Sequence, residues 1–225
     1  MVYVEIDPEV KRSFSGISLG VSIIRNVHVG EFSSKLDVHV ERICSSLKAE
    51  LTLEGLKDHP KIKAYRSFYW RLGIDPTKQR PAAEALIRRI LQGKRFPRIN
   101  CAVDAINLAS ASNMIPLAAY DFDRIIPPII LRWSRNGEKF RGIGENVEHE
   151  IQRQLVLADN TRIVGLYPHR DSYYTRITGK TKNIIIISCG IPYIAYMDIL
   201  RAAESAAENI VKLCGGEAVS INLVK

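Results

Sequence analysis

The stretch AYRSFYWRLGIDPTKQRP, residues 64–81, places four lysine or arginine side chains beside four aromatic ones and then ends in a loop that contains a glycine and two prolines. Phe68 and Leu72 have the spacing of side chains that share one face of a helix. The pattern therefore predicts a helix whose inner face joins the core. One or two of the aromatic residues are left to stack on a ligand such as an unpaired base.

The positive charge of the chain is concentrated around this stretch. Residues 57–98 carry twelve lysine or arginine residues against three acidic ones, whereas the rest of the chain carries twenty basic and twenty-one acidic residues. The formal net charge of +8 therefore comes from one segment. A positive electrostatic field confined to one segment favours the binding of a polyanion, because each phosphate that is neutralised releases counterions. A basic face that is merely solvated is the alternative.

Length and composition limit the class of protein. With 225 residues, of which 46% are hydrophobic, the chain is long enough to bury the core of one domain spanning residues 1–225. It contains no apolar run long enough to cross a bilayer and no N-terminal secretory pattern, so we expect a cytoplasmic protein with no membrane partner. The four cysteines form no C-x-x-C pair and are expected to be reduced. The five histidines show no metal-ligand spacing, so no metal site is predicted.

Hydrophobic periodicity predicts both strands and helices. Strand patterns occur in VYVEI and ISLGVSII, and helical spacing follows over residues 35–72 with a break at Pro60. Pro81 is suited to the first turn of another helix. The remaining elements are a short helix over 100–113, the strands PIILRWS, RQLVLAD, TRIVGLYP and NIIIISCG, the helix YMDILRAAESAAENIVKLCGG and the strand AVSINLV.

These elements give an α+β fold class. NIIIISCG is apolar on both faces and is predicted to be a central strand. We expect a single domain with a layered or β-barrel-like sheet core and flanking helices.

Two short motifs carry weak signals. RGIGENVEH lacks the third glycine of a dinucleotide site, and Asp121 with Asp123 forms a D-x-D pair that suits either a divalent ion or a polar turn. No G-x-S-x-G motif supports a serine nucleophile.

Residues 167–183 concentrate hydroxyl, carboxylate, guanidinium and imidazole groups between two apolar strands. They predict either a solvent-exposed hairpin or one wall of a polar pocket.

A family resemblance rests on four segments, YRSFYWRLGIDPTKQRPAAEALIRRIL, INCAVDAINL, PLAAYDFD and HRDSYYTRITGKTKN. Together they resemble the tRNA-editing B3/B4 module of the phenylalanyl-tRNA synthetase beta subunit, in particular its free-standing bacterial and archaeal relatives. The likeness is strongest over residues 60–200. It implies a protein that binds tRNA and hydrolyses misacylated tRNA in trans, with no metal or organic cofactor. It implies no DNA partner, and it leaves protein partners open.

The resemblance can be transferred position by position. The V-D-x-x-N pattern of the family falls on Val103, Asp104 and Asn107, which places Asn107 in the editing pocket. Ala118 stands where the family has its editing histidine, and Ile187 stands where the synthetase has a glutamate that recognises a tyrosine hydroxyl. The resemblance therefore implies the location of the pocket more strongly than its selectivity for tyrosine.

The free-standing relatives carry an R-D-S signature followed by threonines, which this chain retains from Arg170 onward. The resemblance implies catalytic roles for Asn107 and Asp171. The implied substrate-binding residues are Tyr120, Asp121, His169, Arg170, Ser172, Thr175 and Thr181. The implied tRNA-binding residues are Arg66, Arg71, Lys78, Arg80, Arg88, Arg89, Lys94 and Arg98.

The chemistry of an aminoacyl ester is compatible with such a site. The ester is already activated, so its hydrolysis requires a positioned water and donors to the developing oxyanion but no strong nucleophile. Asn107 would orient the ester or the water, while Asp171 or Asp121 would meet the α-ammonium of the substrate. An acidic pocket without the histidine and glutamate also suits a cationic amino acid such as an arginine analogue. The alternatives are a non-catalytic RNA-binding module and an enzyme acting on a small amino-acid derivative.

Overall fold

Two β-sheets face each other across the largest hydrophobic cluster of the protein. The computed structural model describes residues 3–30 and 34–225. Val2, the first residue of the predicted strand VYVEI, lies outside the described residues.

The first sheet has the strand order β1-β4-β7-β8-β9 and the second the order β11-β2-β10-β3, and β5 and β6 form a separate hairpin. The strands are β1 (Val4–Ile6), β2 (Ser18–Arg25), β3 (Leu117–Asp121), β4 (Ile129–Trp133), β5 (Lys139–Phe140), β6 (His149–Glu150), β7 (Leu155–Ala158), β8 (Ile163–Leu166), β9 (Arg170–Asp171), β10 (Ile184–Gly190) and β11 (Glu217–Val224). The helices are α1 (Pro8–Ser13), α2 (Ser34–Glu50), α3 (Pro60–Arg71), α4 (Ala82–Leu91), α5 (Cys101–Asn113) and α6 (Tyr196–Cys214).

Strand β10 separates the two main parts of the core. Ile185 and Ile187 point into the cluster between the sheets, whereas Ile184 and Ile186 pack with α5 and α6 on the other side. β10 pairs with β2 and β3, so it has a strand on each side. This confirms the central strand predicted from NIIIISCG.

The sheet core is layered and does not form a closed barrel. In the described parts of the chain both sheets are open, and the outer strands β1 and β9 of the first sheet span three and two residues. Strands this short offer few backbone groups for a ladder to the second sheet, and closure requires such a ladder. The α+β class and the layered core are therefore confirmed, while the barrel-like alternative is corrected.

Helix α3, the helical part of the opening stretch, turns most of its aromatic side chains inward. Tyr65, Phe68 and Tyr69 are buried, whereas Trp70 is 58% exposed. Tyr65 Oη donates a hydrogen bond of 2.7 Å to the backbone oxygen of Cys189. The helix is therefore fixed against β10, and one aromatic side chain of the four remains free to stack on a ligand.

A buried carboxylate fixes α3 to α4. Glu84 has no exposed surface, and its Oε1 accepts hydrogen bonds from Arg66 Nη1 at 2.9 Å and from Arg88 Nε at 2.8 Å. Since a buried charge is tolerated only when it is paired, Glu84 holds both guanidinium groups in fixed positions.

Replacing Glu84 by alanine is expected to destabilise the fold. The change leaves two partly buried guanidinium groups without their partner, so we expect a loss of about 2–4 kcal/mol in the free energy of unfolding. Urea unfolding followed by circular dichroism measures the loss. Glu208→Ala, on an exposed position of α6, is the matched control and is expected to change stability by less than about 0.5 kcal/mol. Equal stability of the two variants would contradict a structural role for Glu84.

Candidate functional site

Two adjoining cavities open beside the end of β8. The larger has a volume of about 770 Å³ and the smaller about 60 Å³. Leu166, Tyr167, His169 and Arg170 line both of them. The segment after β8 is therefore the wall between a wide cleft and a small enclosed pocket.

Asp171 supplies the only carboxyl group among the residues that line the small cavity. Burial raises its pKa to about 7, although the neighbouring Tyr120 hydroxyl and the backbone N–H of Ala119 oppose the shift. A half-buried carboxyl group at a cavity wall, with its pKa raised towards neutral pH, is characteristic of catalytic and ligand-binding sites.

Tyr120 lies beside Asp171 at the base of the small cavity. Its side chain is fully buried, and its hydroxyl makes no well-formed hydrogen bond within the described structure. The phenol fits only because Gly165 on β8 has no side chain, since a Cβ at that position would collide with Tyr120 Oη. The small cavity thus contains a phenol hydroxyl beside a carboxyl group with a raised pKa.

His169 faces both cavities as a neutral imidazole. Burial lowers its pKa to about 4, and the nearby Arg170 acts in the same direction. Its ring contacts Tyr69 edge-on, with the centroids 6.2 Å apart. The imidazole therefore offers one donor and one acceptor near pH 7 without adding a charge.

The larger cavity has a positive lining. Lys78, Arg153 and Arg170 contribute cations, whereas Glu145 is the only acidic residue among the described residues of its wall. Glu145 Oε1 accepts a hydrogen bond of 2.9 Å from Arg170 Nη2. The loop that ends the opening stretch forms one side of this cavity, through Leu72, Gly73, Ile74, Lys78 and Gln79.

The structure brings together only part of the predicted pocket. Tyr120, His169, Arg170 and Asp171 line the small cavity, whereas Asn107 lies on α5, outside the lining of both cavities. Thr175 is fully buried, and its hydroxyl has no partner in the described structure.

Three further predicted residues lie elsewhere. Asp121 is buried, and its Oδ2 accepts a hydrogen bond of 2.7 Å from Thr181 Oγ1, so this pair attaches the polar segment 167–183 to β3. Ser172 lines a separate groove behind β9. The first residues of segment 167–183 line the cavities, as the pocket-wall interpretation predicts, whereas Gly179, Lys180 and Lys182 are exposed, as the hairpin interpretation predicts.

Comparison with known proteins places the chain in a family. The B3/4 domain family matches residues 64–215. The chain belongs to this family. It is 30% identical over 127 residues to the phenylalanine–tRNA ligase beta subunit of Bifidobacterium longum, and 28% identical over 106 residues to that of Cutibacterium acnes. These alignments cover 53% and 47% of this chain but only 14% and 12% of the two subunits.

A solved structure shares the fold. The crystal structure of an N-terminal fragment of the phenylalanyl-tRNA synthetase beta subunit from Pyrococcus horikoshii matches with a TM-score of 0.52 and 15% sequence identity. The match covers 99% of this B3/4 chain and 50% of the fragment.

The two positions that the resemblance predicts to differ from the synthetase editing residues are neighbours. Ala118 on β3 lies directly opposite Ile187 on β10 in the antiparallel register. Both are buried between the sheets, and Ala118 lines the small cavity. Apolar side chains thus occupy one side of the pocket, which leaves Asp171 as its acidic group.

The predicted tRNA-binding cations of the B3/4 domain fall into two groups. Arg66 and Arg88 pair with Glu84, and Arg98 pairs with Asp37 and lies 3.9 Å from Asp104. Arg71 is exposed but stacks on Phe14 and donates a hydrogen bond to Ser13 O. The cations on the open surface are Lys78, Arg80, Arg89 and Lys94.

Sequence reasoning missed several residues of the site. Tyr167 and Cys189 line the small cavity, and Trp133, Glu145 and Arg153 line the large one. Arg153 has a left-handed backbone with φ of 44°, which is uncommon for a residue with a side chain. These residues come from separate elements, and the sequence contains no spacing that links them.

Two classes of feature are not found in the described part of the chain. Its helices include none that combines the length and apolar character needed to cross a membrane. Its histidine, cysteine and carboxylate side chains form no group of three arranged to hold a metal ion.

The stability of this B3/4 domain is expected to depend on pH through Asp171. A folded-state pKa of about 7 lies above the ordinary value of about 3.9, so the folded protein holds this proton more tightly. The contribution of protonated Asp171 to the free energy of unfolding is fully present below about pH 4 and is lost as the pH rises through about 7. Asp171→Asn cannot ionise, so its unfolding free energy is expected to fall less than that of the wild type between pH 5 and pH 8. Urea unfolding at pH 5 and at pH 8 measures these changes, and Asp58→Asn, at an exposed position, is the control. An equal loss of unfolding free energy in the wild type and both variants would refute the raised pKa.

A methyl group at position 165 is expected to disturb the small cavity. In Gly165→Ala the new Cβ displaces the Tyr120 phenol, so we expect a loss of about 1–3 kcal/mol in unfolding free energy. Gly165→Ala/Tyr120→Phe removes the colliding hydroxyl and is expected to recover part of that loss. Additive effects of the two substitutions in chemical denaturation would show that the contact does not constrain the site.

Proposed function

We propose that this B3/4 protein binds tRNA and hydrolyses the ester bond of aminoacyl-tRNA that carries the wrong amino acid. The relation to phenylalanine–tRNA ligase beta subunits suggests a tRNA-related function. The observation that supports hydrolysis is the half-buried Asp171 carboxyl, with a pKa of about 7, beside a cleft wide enough for a terminal nucleotide. The proposal treats residues 1–225 as one domain that acts in the cytoplasm.

In the proposed reaction, the ionised Asp171 takes a proton from a water molecule. The oxygen of that water attacks the ester carbonyl carbon, and the bond between this carbon and the ribose oxygen breaks. The proton then passes from Asp171 to the ribose oxygen, and the amino acid leaves as a carboxylic acid that gives its remaining proton to the solvent. A general base is most effective when its pKa lies near the working pH, and the desolvation of Asp171 at the cavity wall raises its pKa to about 7.

In this proposal each cavity binds a different part of the substrate. The amino-acid moiety enters the small cavity, whose size favours a short side chain unless the pocket widens. The terminal nucleotide occupies the larger cavity, where Lys78, Arg153 and Arg170 meet its phosphate. His169 stays neutral and hydrogen-bonds the substrate at the junction. Asn107, Asp121, Ser172, Thr175 and Thr181 remain predicted from the resemblance alone.

A non-catalytic tRNA-binding module is the second candidate function. Ala118 and Ile187 favour it, because they place apolar side chains where the synthetase pattern has a histidine and a glutamate. In such a module the cavities would bind the tRNA terminus without releasing the amino acid.

Deacylation of a panel of misacylated tRNAs distinguishes the two functions. The panel should include small, aromatic and cationic amino acids, with arginine analogues among the last. We expect release of at least one amino acid and a loss of about 10²–10³-fold in rate for Asp171→Asn, as expected for removal of a general base. Asp58→Asn is the matched control, and Asn107→Ala tests the predicted orienting role. Binding of tRNA without release of any amino acid would favour the module.

The pH dependence of deacylation gives an independent check. Because the ionised form of Asp171 is the base, kcat/KM is expected to rise with pH and level off above about 7. In Tyr120→Phe, which lacks the hydroxyl that lowers the pKa of Asp171, the midpoint is expected to move to higher pH. A flat profile between pH 5 and pH 8 would rule out Asp171 as the base.

A further inference from the structure

Three separate segments bring arginine and tyrosine side chains to one surface behind β9. Arg141 follows β5, Arg162 precedes β8, and Tyr173, Tyr174 and Arg176 follow β9. We call these five residues the arginine–tyrosine surface. They lie outside residues 57–98, so the charge distribution along the sequence gave no indication of them.

The guanidinium groups of this surface are positioned by stacking. Arg141 Cζ lies 3.8 Å and Arg176 Cζ 3.7 Å from the ring centroid of Tyr173. Arg162 Cζ lies 5.4 Å from the centroid of Tyr174, and the two tyrosine rings meet edge-on. Stacking on an aromatic ring orients the planar guanidinium group, so less freedom is lost when it binds a ligand.

The positive charges of this surface are not neutralised within the described residues. There, Arg141, Arg162 and Arg176 form no ion pair with a carboxylate; Arg141 Nε donates a hydrogen bond to Glu145 O, and Arg176 Nη1 donates one to Tyr173 O. Two guanidinium groups against one ring repel each other, and a bound anion would offset that repulsion. The arrangement therefore favours an anionic ligand.

A groove of about 250 Å³ adjoins the surface. Lys139, Arg141 and Arg162 line it together with one acidic residue, Glu148. Ser172 and Tyr174 form its wall on the β9 side. A shallow, positively charged groove with aromatic groups at its edge has the features of sites that follow a single nucleic-acid strand.

We propose that the arginine–tyrosine surface binds the phosphodiester backbone of the single-stranded RNA end that leads to the small cavity. The proposal rests on the function proposed above and adds a second RNA contact, distinct from the exposed cations of residues 57–98. Guanidinium groups bind phosphate oxygens through paired N–H donors, while the tyrosine rings stack on unpaired bases.

The connection to the pocket is short. Arg170 and Asp171 line the cavities, whereas the next residue, Ser172, lines the groove. Backbone hydrogen bonds from Ile143 N to Asp171 O and from Tyr173 N to Arg141 O hold the two sides together. The groove and the small cavity therefore share one short segment of chain, residues 170–172.

Binding of uncharged bulk tRNA to the purified full chain, measured over a KCl series, tests the proposal. Arg162→Gln/Arg176→Gln is expected to weaken binding about tenfold at low salt and to reduce the slope of log K against log[KCl] by about 1.4 units, because two phosphate contacts to a single strand are lost. Arg12→Gln/Arg201→Gln removes the same charge from exposed positions elsewhere and is the matched control. It is expected to leave the slope unchanged.

Tyr173→Leu separates orientation from charge. This variant keeps every arginine but removes the ring that holds two of them, so we expect weaker tRNA binding with little change in salt slope. Thermal melts of all variants show whether the fold is retained, and Arg162→Lys/Arg176→Lys, which keeps the charge, is expected to retain the slope.

The outcomes separate this inference from the proposed function. If wild-type protein binds no tRNA at any salt concentration, both fail. If it binds tRNA, but the glutamine pair and the control pair show equal affinity and slope, only the arginine–tyrosine surface is overturned. The inference would also be overturned if millimolar inorganic phosphate competed with bound tRNA as well as free tRNA does, because the site would then recognise an isolated anion.

Discussion

Two buried phenol hydroxyls hold the end of β10 in place, and the geometry of the cavities depends on them. Tyr65 Oη donates to Cys189 O at 2.7 Å, and Tyr167 Oη donates to Gly190 O at 2.8 Å. Burial raises the pKa of both hydroxyls well above its usual range, so both remain donors. An unpaired buried carbonyl costs about 1–3 kcal/mol, which makes these bonds expensive to break. They join α3 and the segment after β8 to the strand that carries Cys189 into the small cavity.

Much of the fold could be predicted because hydrophobic periodicity is a local property. NIIIISCG became the central strand β10, and Pro81 directly precedes α4. The helical spacing of Phe68 also predicted correctly that it faces inward. Charge counts were less informative, because they do not show which charges are paired. Glu84 is one acidic residue among many basic ones in the sequence, yet its burial holds two of the predicted tRNA contacts in ion pairs.

The candidate site was predictable only where one segment carries it. The family resemblance named Arg170 and Asp171 through the R-D-S signature, whereas the pairing of Ala118 with Ile187 is known only from the register of the sheet. The raised pKa of Asp171 could not be read from the sequence, because it arises from burial where β3, β8 and β9 meet. The arginine–tyrosine surface was hidden for the same reason. Its members are separated along the chain and meet only after the strands pair.

The two proposals, a general base at Asp171 and an RNA contact at the arginine–tyrosine surface, affect each other electrostatically. An RNA strand that approaches the pocket brings negative phosphates towards Asp171, and nearby negative charge disfavours the ionised form of a carboxyl group. A base with a pKa near 7 would then lose activity when its substrate binds. Cations that bind the same phosphates offset this effect within about one Debye length, about 8 Å at physiological salt. In the proposed complex, the arginines behind β9 would attract the RNA backbone and would also neutralise part of the phosphate charge that approaches Asp171.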